Sequence, residues 1–165
     1  MVTKTITVTE DAYRSLKELK QDIILTVTGY QGEFAVRLSK DLPVYAIELP
    51  VSVAGIVDMV VKIGLITNRI PEATALSRRL QETIAHLTPI GRGLRVYVEI
   101  DFSGPVSFGA YSYITDALRL LAVESVYGKE ACEWLTPDLE FVKKVDPDAI
   151  IYEAKMYSRF SKNDL

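Results

Sequence analysis

Residues 9–27 read TEDAYRSLKELKQDIILTV, and residues 136–153 read TPDLEFVKKVDPDAIIYE. In each stretch a threonine is followed by acidic residues, then by apolar residues at helical spacing, and finally by consecutive isoleucines. A threonine cap with acids behind it favours a helix start, and the isoleucine run favours a buried strand. One fixed offset, which sets Ile23 on Ile150, aligns both stretches without a gap. They therefore predict an α/β protein with two similarly built halves.

The rest of the chain predicts further helices and strands. Alternating apolar and polar residues over 4–8 indicate a half-buried strand ahead of the first helix, which should end near Lys20. The other predicted elements are a turn over 29–32, a helix over 33–40, a strand over 44–49, helices over 52–66 and 71–87, a strand over 94–100, a loop over 104–109, a helix around 114–121 and a short strand at 126–127. A strand–helix–strand order predicts that the strands at 23–27 and 44–49 are parallel.

Composition narrows the classes of function. The chain has 165 residues, of which 48% are hydrophobic and 25% charged, with a formal net charge of −3 and a pI near 5.3. These values are typical of a globular protein and predict no basic surface for nucleic acid. One cysteine, Cys132, and one histidine, His86, predict neither an internal disulfide nor a histidine-rich metal site. The start lacks a secretory pattern and no apolar run is long enough to cross a membrane, so we expect a soluble, unexported protein.

Five segments in order resemble one known family, the substrate-binding proteins of ABC importers for iron-siderophores, haem and corrinoids. The segments are KELKQDIIL (17–25), LPVYAIELP (42–50), KIGLITNRIPEA (62–73), RVYVE with the later GAYSYI (95–114), and VDPDAII (145–151). The first and last are similar to the approach to a strand in each of the family's two lobes. The second resembles the strand before the linking helix, the third a break in that helix, and the fourth the first strand and loop of the second lobe.

The resemblance implies parallel-sheet lobes joined by a long backbone helix. Residues 1–50 would form a partial first lobe, 51–92 the linking helix and 93–165 the second lobe. Because family members have further strands before this point, we expect an incomplete first lobe that pairs in a homodimer. The implied ligand is a small-molecule metal chelate or macrocycle in an inter-lobe cleft, and the implied partner is an ABC permease. No cofactor, enzyme activity or nucleic acid is implied. The family is extracellular or periplasmic, whereas the lack of a signal peptide favours the cytoplasm.

Candidate ligand-binding residues lie in the loops expected beyond the carboxyl ends of the strands, where open parallel sheets bind ligands. Aromatic rings offer flat apolar faces to a macrocycle or chelate, and basic side chains meet its carboxylates. The candidates are Tyr30, Gln31, Ser52, Phe108, Tyr111, Tyr113, Lys155, Tyr157 and Arg159. The alternative for each tyrosine is that it covers the rim of the core. We expect Trp134 to pack the turn before a helix, His86 to be solvated and Cys132 to be an inert thiol.

A second interpretation rests on residues 1–20, MVTKTITVTEDAYRSLKELK. They resemble the start of ribbon–helix–helix and antitoxin proteins, in which a strand pairs with its dimer mate and reads DNA. Thr3, Thr5 and Thr7 would then face the bases. The negative net charge, and the strand expected at 23–27 in place of a second helix, count against this interpretation. No nucleophile motif, phosphate loop or metal-ligand spacing indicates an enzyme.

Overall fold

The alternation of helices and strands that the sequence predicts is present in the fold. The computed structural model describes residues 10–89, 91, 93–102 and 104–153, without the side chain of Tyr30. Contacts between residues divide the chain into two units, Met1–Leu49 and Pro50–Leu165. The helices and strands within the described residues confirm the α/β class.

The first unit contains a two-stranded sheet and two helices. Its elements are α1 (Glu10–Glu18), β1 (Ile24–Val27), α2 (Thr28–Leu38) and β2 (Val44–Ile47). β1 pairs with β2 in parallel, with Ile24 opposite Val44, as the strand–helix–strand order predicts. Ile24, Ala35 and Leu38 are buried, and Leu38 is completely so. These residues join the inner face of α2 to the sheet.

The turn predicted over residues 29–32 is wrong, because α2 begins directly at Thr28. The side-chain oxygen of Gln31 accepts a hydrogen bond of 3.2 Å from the backbone N–H of Val27. A helix start leaves such N–H groups without an internal partner, so this bond stabilises the first turn. The bond offsets the low helix propensity of Gly29 and Gly32. These two glycines are the reason that the sequence predicts a turn here. The strand predicted over residues 4–8 lies outside the described residues.

Helix α1 has no buried residue. Charged side chains connect it to α2 and to the segment that follows α2. The centroid of the Tyr13 ring lies 4.9 Å from the Lys17 nitrogen and 4.8 Å from the central carbon of the Arg37 guanidinium. Lys17 forms an ion pair of 2.8 Å with Asp41, and Arg37 forms one of 2.5 Å with Glu10. Exposed pairs of this kind contribute little individually, and salt screens them. The position of α1 therefore depends on a network that ionic strength and pH weaken.

The second unit begins with two helices that pack against each other. They are α3 (Val53–Ile66) and α4 (Ile70–Ala85), close to the predicted ranges. Gly64 lies so near Ala73 that an added Cβ would stand 2.1 Å from the Ala73 Cβ. The missing side chain lets the two helices approach each other directly after the turn between them. The long helical stretch that the sequence predicts is therefore a pair of packed helices.

A five-stranded sheet follows these helices. Its strands are β3 (Arg95–Asp101), β4 (Pro105–Phe108), β5 (Glu124–Ser125), β6 (Trp134–Leu135) and β7 (Ala149–Glu153), and its helices are α5 (Tyr113–Leu120) and α6 (Leu139–Val145). β3 pairs in parallel with β5 and β7 and antiparallel with β4, which in turn pairs with β6. Successive residues of β3 point to opposite faces. Val96 and Val98 pack with Leu118 of α5, and Tyr97 packs with Val142 of α6.

The short strands of this sheet are where the sequence predictions are wrong. Residues 104–109, expected to be a loop, contain β4, and the strand expected at 126–127 is β5, which lies two residues earlier. Both strands exist because their backbones pair with β3, and neither is long enough to show a period of two in its side chains. β7 has the predicted limits, and Asp138 caps α6 through its side chain.

The two repeated stretches lie in separate sheets. α1 leads into β1 of the first sheet, and α6 leads into β7 of the second. Ile24 of β1 is 9% exposed, whereas Ile150 and Ile151 of β7 are 63% and 48% exposed. The prediction of a buried strand is therefore wrong for β7. β7 pairs along one edge with β3, and its two isoleucines point to opposite faces that the described residues leave open to solvent.

Candidate functional site

A clamped loop connects β4 to α5. The backbone N–H groups of residues 109–111 donate hydrogen bonds of 3.1, 2.7 and 3.0 Å to carbonyl oxygens of residues 130–133. Gly109 is required at this crossing, because an added Cβ would lie 2.4 Å from the carbonyl oxygen of Cys132. The backbone of the loop is therefore held at each of these residues, and the side chains it carries have defined positions.

The start of α5 buries two hydroxyl groups and exposes two tyrosines. Ser112 is the N-cap residue, and its Oγ accepts a hydrogen bond of 3.2 Å from the N–H of Ile114. Both Ser112 and Thr115 are buried. Tyr111 is 55% exposed and Tyr113 is 37% exposed. Both rings are therefore open to solvent at the end of the clamped loop, on either side of the capping serine.

Trp134 adds an aromatic ring beside this loop. It lies in β6 directly opposite Phe108 of β4, and residues opposite each other in antiparallel strands have neighbouring side chains on one face. Phe108 is half-buried against the apolar cluster under α5. Trp134 is 50% exposed, so half of this residue is open to solvent, and its backbone pairs with β4 in the sheet. Phe108, Tyr111, Tyr113 and Trp134 are called the aromatic surface below.

Ser52 lies at the start of α3, which the structure brings to the start of α5. Its Oγ accepts a hydrogen bond of 3.0 Å from the N–H of Gly55 and so caps the helix. The N–H of Val53 donates a hydrogen bond of 2.9 Å to the carboxylate of Asp116, in the first turn of α5. The hydroxyl oxygen of Ser52 therefore has a structural partner, and Ser52 is joined to the helix that carries Tyr113.

The other candidate residues are not united with this surface by the described contacts. Gln31 belongs to the first unit, where Val27 occupies its side-chain oxygen. The side chain of Tyr30 and the residues Lys155, Tyr157 and Arg159 lie outside the described residues. Of the predicted ligand residues, Phe108, Tyr111 and Tyr113 lie in one stretch of the chain, from the end of β4 through the clamped loop to the start of α5. The sequence does not indicate Trp134 as a site residue, because its position opposite Phe108 is not visible in any local pattern.

Two ionisable groups of the second unit, the Cys132 thiol and the Tyr97 hydroxyl, have raised pKa values. Burial raises the pKa of the Cys132 thiol, and the charge of Glu130 raises it further. Burial, together with a hydrogen bond of 2.5 Å to Glu99, also holds the pKa of Tyr97 above its usual range. In the part of the chain that the structure describes, no three His, Cys, Asp or Glu side chains are grouped to hold a metal ion. The surface thus presents aromatic faces, which suit binding better than proton transfer.

The described residues thus form an α/β chain in two units, with exposed tyrosines on a clamped loop. Its sequence matches the periplasmic binding protein family over residues 7–165, and the chain belongs to that family. The comparison with curated proteins gives no significant match. None of the described helices has both the length and the apolar character needed to span a membrane.

Solved structures share this fold. An ABC transporter substrate-binding protein from Listeria monocytogenes EGD-e matches with a TM-score of 0.72 and 21% identity, over 87% of this chain and 57% of that one. IsdE of S. aureus, complexed with haem, gives a TM-score of 0.69 and 16% identity, over 94% and 67% of the two chains. The vitamin B12 binding protein BtuF of Vibrio cholerae matches with a TM-score of 0.66 and 11% identity, over 85% of this chain and 56% of that one. This chain thus spans just over half the length of the first structure, and the resemblance drawn from the sequence is confirmed.

The ribbon–helix–helix interpretation finds no support. That motif requires a second helix after the first, and β1 follows α1 instead. Most of the segment that suggested it, from residue 7 onward, falls within the match to the periplasmic binding protein family.

Proposed function

We propose that this chain acts as a solute-binding protein of an ABC importer and that its ligand is an iron-siderophore, haem or a corrinoid. The family match over residues 7–165 supports the class of protein. The matches to a haem-complexed protein and to a vitamin B12 binding protein support the class of ligand. The partner that this function requires is an ABC permease.

The aromatic surface is the observation that carries this proposal. Tyr111, Tyr113 and Trp134 keep a large part of their area in solvent, and exposed apolar groups commonly mark a binding site. A macrocycle or chelate buries its apolar area against such rings, while tyrosine hydroxyls bind its polar edge. Because three backbone hydrogen bonds already hold the loop, the residues around Tyr111 lose little conformational entropy on binding.

Other residues extend the proposed site. We assign direct ligand contact to Phe108, Tyr111, Tyr113 and Trp134. Carboxylates of the ligand would meet the basic side chains of Lys155 and Arg159, with Tyr157 between them. Tyr30, Gln31 and Ser52 remain proposed contributors at the starts of α2 and α3.

Fluorescence of the bound and free protein tests this proposal directly. Trp134 is the only tryptophan of the chain, so its emission reports on the aromatic surface. We expect saturable quenching by haem, by cyanocobalamin or by a ferric hydroxamate siderophore. Tyr113→Ser should weaken that affinity roughly 3- to 10-fold, the value of one aromatic contact. Tyr45→Ser is the matched control, since Tyr45 is also 37% exposed but lies in β2 of the first unit.

The quenching experiment has three distinguishable outcomes. Quenching that Tyr113→Ser weakens and Tyr45→Ser leaves unchanged would support the aromatic surface as the site. Equal effects of both substitutions would remove the surface from the proposal. Absence of binding to all three ligands, by quenching and by calorimetry, would overturn the proposed function.

A further inference from the structure

The contact between α5 and α3 depends on one specific bond. The backbone N–H of Val53 donates to Oδ2 of Asp116 at 2.9 Å, between residues far apart in sequence. Val53 is the first residue of α3, where N–H groups have no partner within the helix and the helix dipole favours a negative charge. A hydrogen bond from such a group to a carboxylate is charge-assisted and stronger than a neutral one. Asp116 therefore joins the start of one helix to the first turn of another.

A cavity lies beside this bond. Its volume is about 370 Å³, and its walls are the first turns of α3, the last turn of α4, and Asp116 and Leu120 of α5. The walls are mostly apolar, yet they stand apart instead of interlocking. Close-packed side chains normally fix one helix against another, and a cavity forfeits those contacts. Along this seam the hydrogen bond of Asp116 is a specific polar contact between α5 and α3, while Leu118 packs α5 against the sheet.

Asp116 is also connected to the clamped loop. Its backbone N–H donates a hydrogen bond of 3.0 Å to the carbonyl oxygen of Ser112, the buried N-cap of α5. Tyr111 and Tyr113 are the direct neighbours of Ser112. Asp116 is therefore bonded directly to the residue from which both tyrosines extend.

We propose that Asp116 is a positioning residue for the aromatic surface, holding Tyr111 and Tyr113 in a fixed orientation relative to α3 through its bond to Val53. Its effect on ligand affinity rests on the proposed function, whereas its effect on the loop does not.

Hydrogen exchange of the ligand-free protein tests the structural part. In Asp116→Ala we expect the amide of Val53 to exchange roughly tenfold faster or more, with a parallel rise at Tyr111 and Ile114. Asp116→Asn keeps an oxygen acceptor and should restore most of the protection. Asp148→Ala is the matched control, since Asp148 accepts a comparable hydrogen bond of 2.7 Å from the N–H of Arg95, away from this seam. It should accelerate exchange at Arg95 and leave Tyr111 unchanged.

Titration with haem, cyanocobalamin and a ferric hydroxamate siderophore tests the ligand part. Asp116→Ala should weaken the affinity about 5-fold or more, Asp116→Asn should recover it, and Asp148→Ala should have no effect. Faster exchange at Val53 without any change at Tyr111 would overturn the proposal, as would full affinity in Asp116→Ala. If the unaltered protein binds none of the three probes, the proposed function fails, and the exchange measurements still decide the role of Asp116. Circular dichroism of each variant shows that it is folded, and the asparagine variant serves if the alanine variant is not.

Discussion

Substitution of two glycines by alanine should have opposite effects on stability. At Gly109 an added Cβ would lie 2.4 Å from the carbonyl oxygen of Cys132, 2.6 Å from its Sγ and 2.8 Å from the carbonyl oxygen of Glu130. Two of these neighbours are backbone atoms, so the clash cannot be relieved by turning a side chain. Overpacking of this kind costs about 1–3 kcal/mol, and each displaced hydrogen bond adds about 1 kcal/mol. We therefore expect Gly109→Ala to lower the free energy of unfolding by about 3 kcal/mol.

Gly32→Ala is the matched substitution. Gly32 lies inside α2, and an added Cβ there would meet nothing within 4 Å. Replacing an unstrained helical glycine reduces the entropy of the unfolded chain, so the variant should gain about 0.5–1 kcal/mol. The same chemical change thus destabilises one segment and stabilises the other.

Urea denaturation measures both effects. Trp134 lies in the second unit and its fluorescence follows the unfolding of that unit, while circular dichroism at 222 nm follows the helices of both. Gly109→Ala should lower the midpoint seen by Trp134, and Gly32→Ala should raise the midpoint of the helical signal. A Gly109→Ala variant within 1 kcal/mol of the parent would refute the reasoning that the loop is clamped by backbone contacts.

Three further predictions follow from particular contacts. Among the described residues the buried hydroxyl of Thr26 has no hydrogen-bond partner, so Thr26→Val should raise the free energy of unfolding by about 1 kcal/mol. Urea denaturation measures this change, and a loss of stability would refute the prediction. Lys17 lowers the pKa of Asp41 below 3.8 through a hydrogen bond and its charge. The ion pair that holds α1 is therefore complete above that value and is lost as the pH falls through the lowered pKa. In acid, the helical circular dichroism signal should fall more in the parent than in Asp41→Asn. The homodimer was expected through the first lobe, but the exposed isoleucines of β7 offer a different apolar surface for self-association. We expect light scattering at micromolar concentration to show a homodimer that Ile150→Lys converts to monomer, and a monomeric parent would contradict this.

Much of the fold could be predicted from local patterns. The limits of β7 and the start of α3 behind Ser52 follow from residues within one or two turns of each element, whereas α6 is capped by Asp138 and not by the expected threonine. The start of α2 could not be predicted in this way. It depends on a bond between Gln31 and the end of β1, which outweighs the glycines that indicate a turn.

The sequence likewise predicts only the part of the candidate site that depends on local patterns. Tyr111 and Tyr113 were identified because a loop before a helix is visible in the sequence, and the structure exposes both rings. Trp134 was assigned to packing, because its neighbour across the sheet, Phe108, is distant in sequence. The ligand residues as a set remain a prediction for the binding experiments.

The sequence by itself determined the order of helices and strands, the repeat at the two ends and the family to which the chain belongs, since these depend on local spacing and on motifs in order. Only the tertiary structure decided that β4 and β6 are strands, that Trp134 faces solvent and that Asp116 joins α5 to α3. β4 depends on its pairing with the neighbouring end of β3, whereas β6 and the bond of Asp116 join residues far apart in the chain. Such contacts form when the backbones meet in the folded state, and no short segment of sequence encodes them alone.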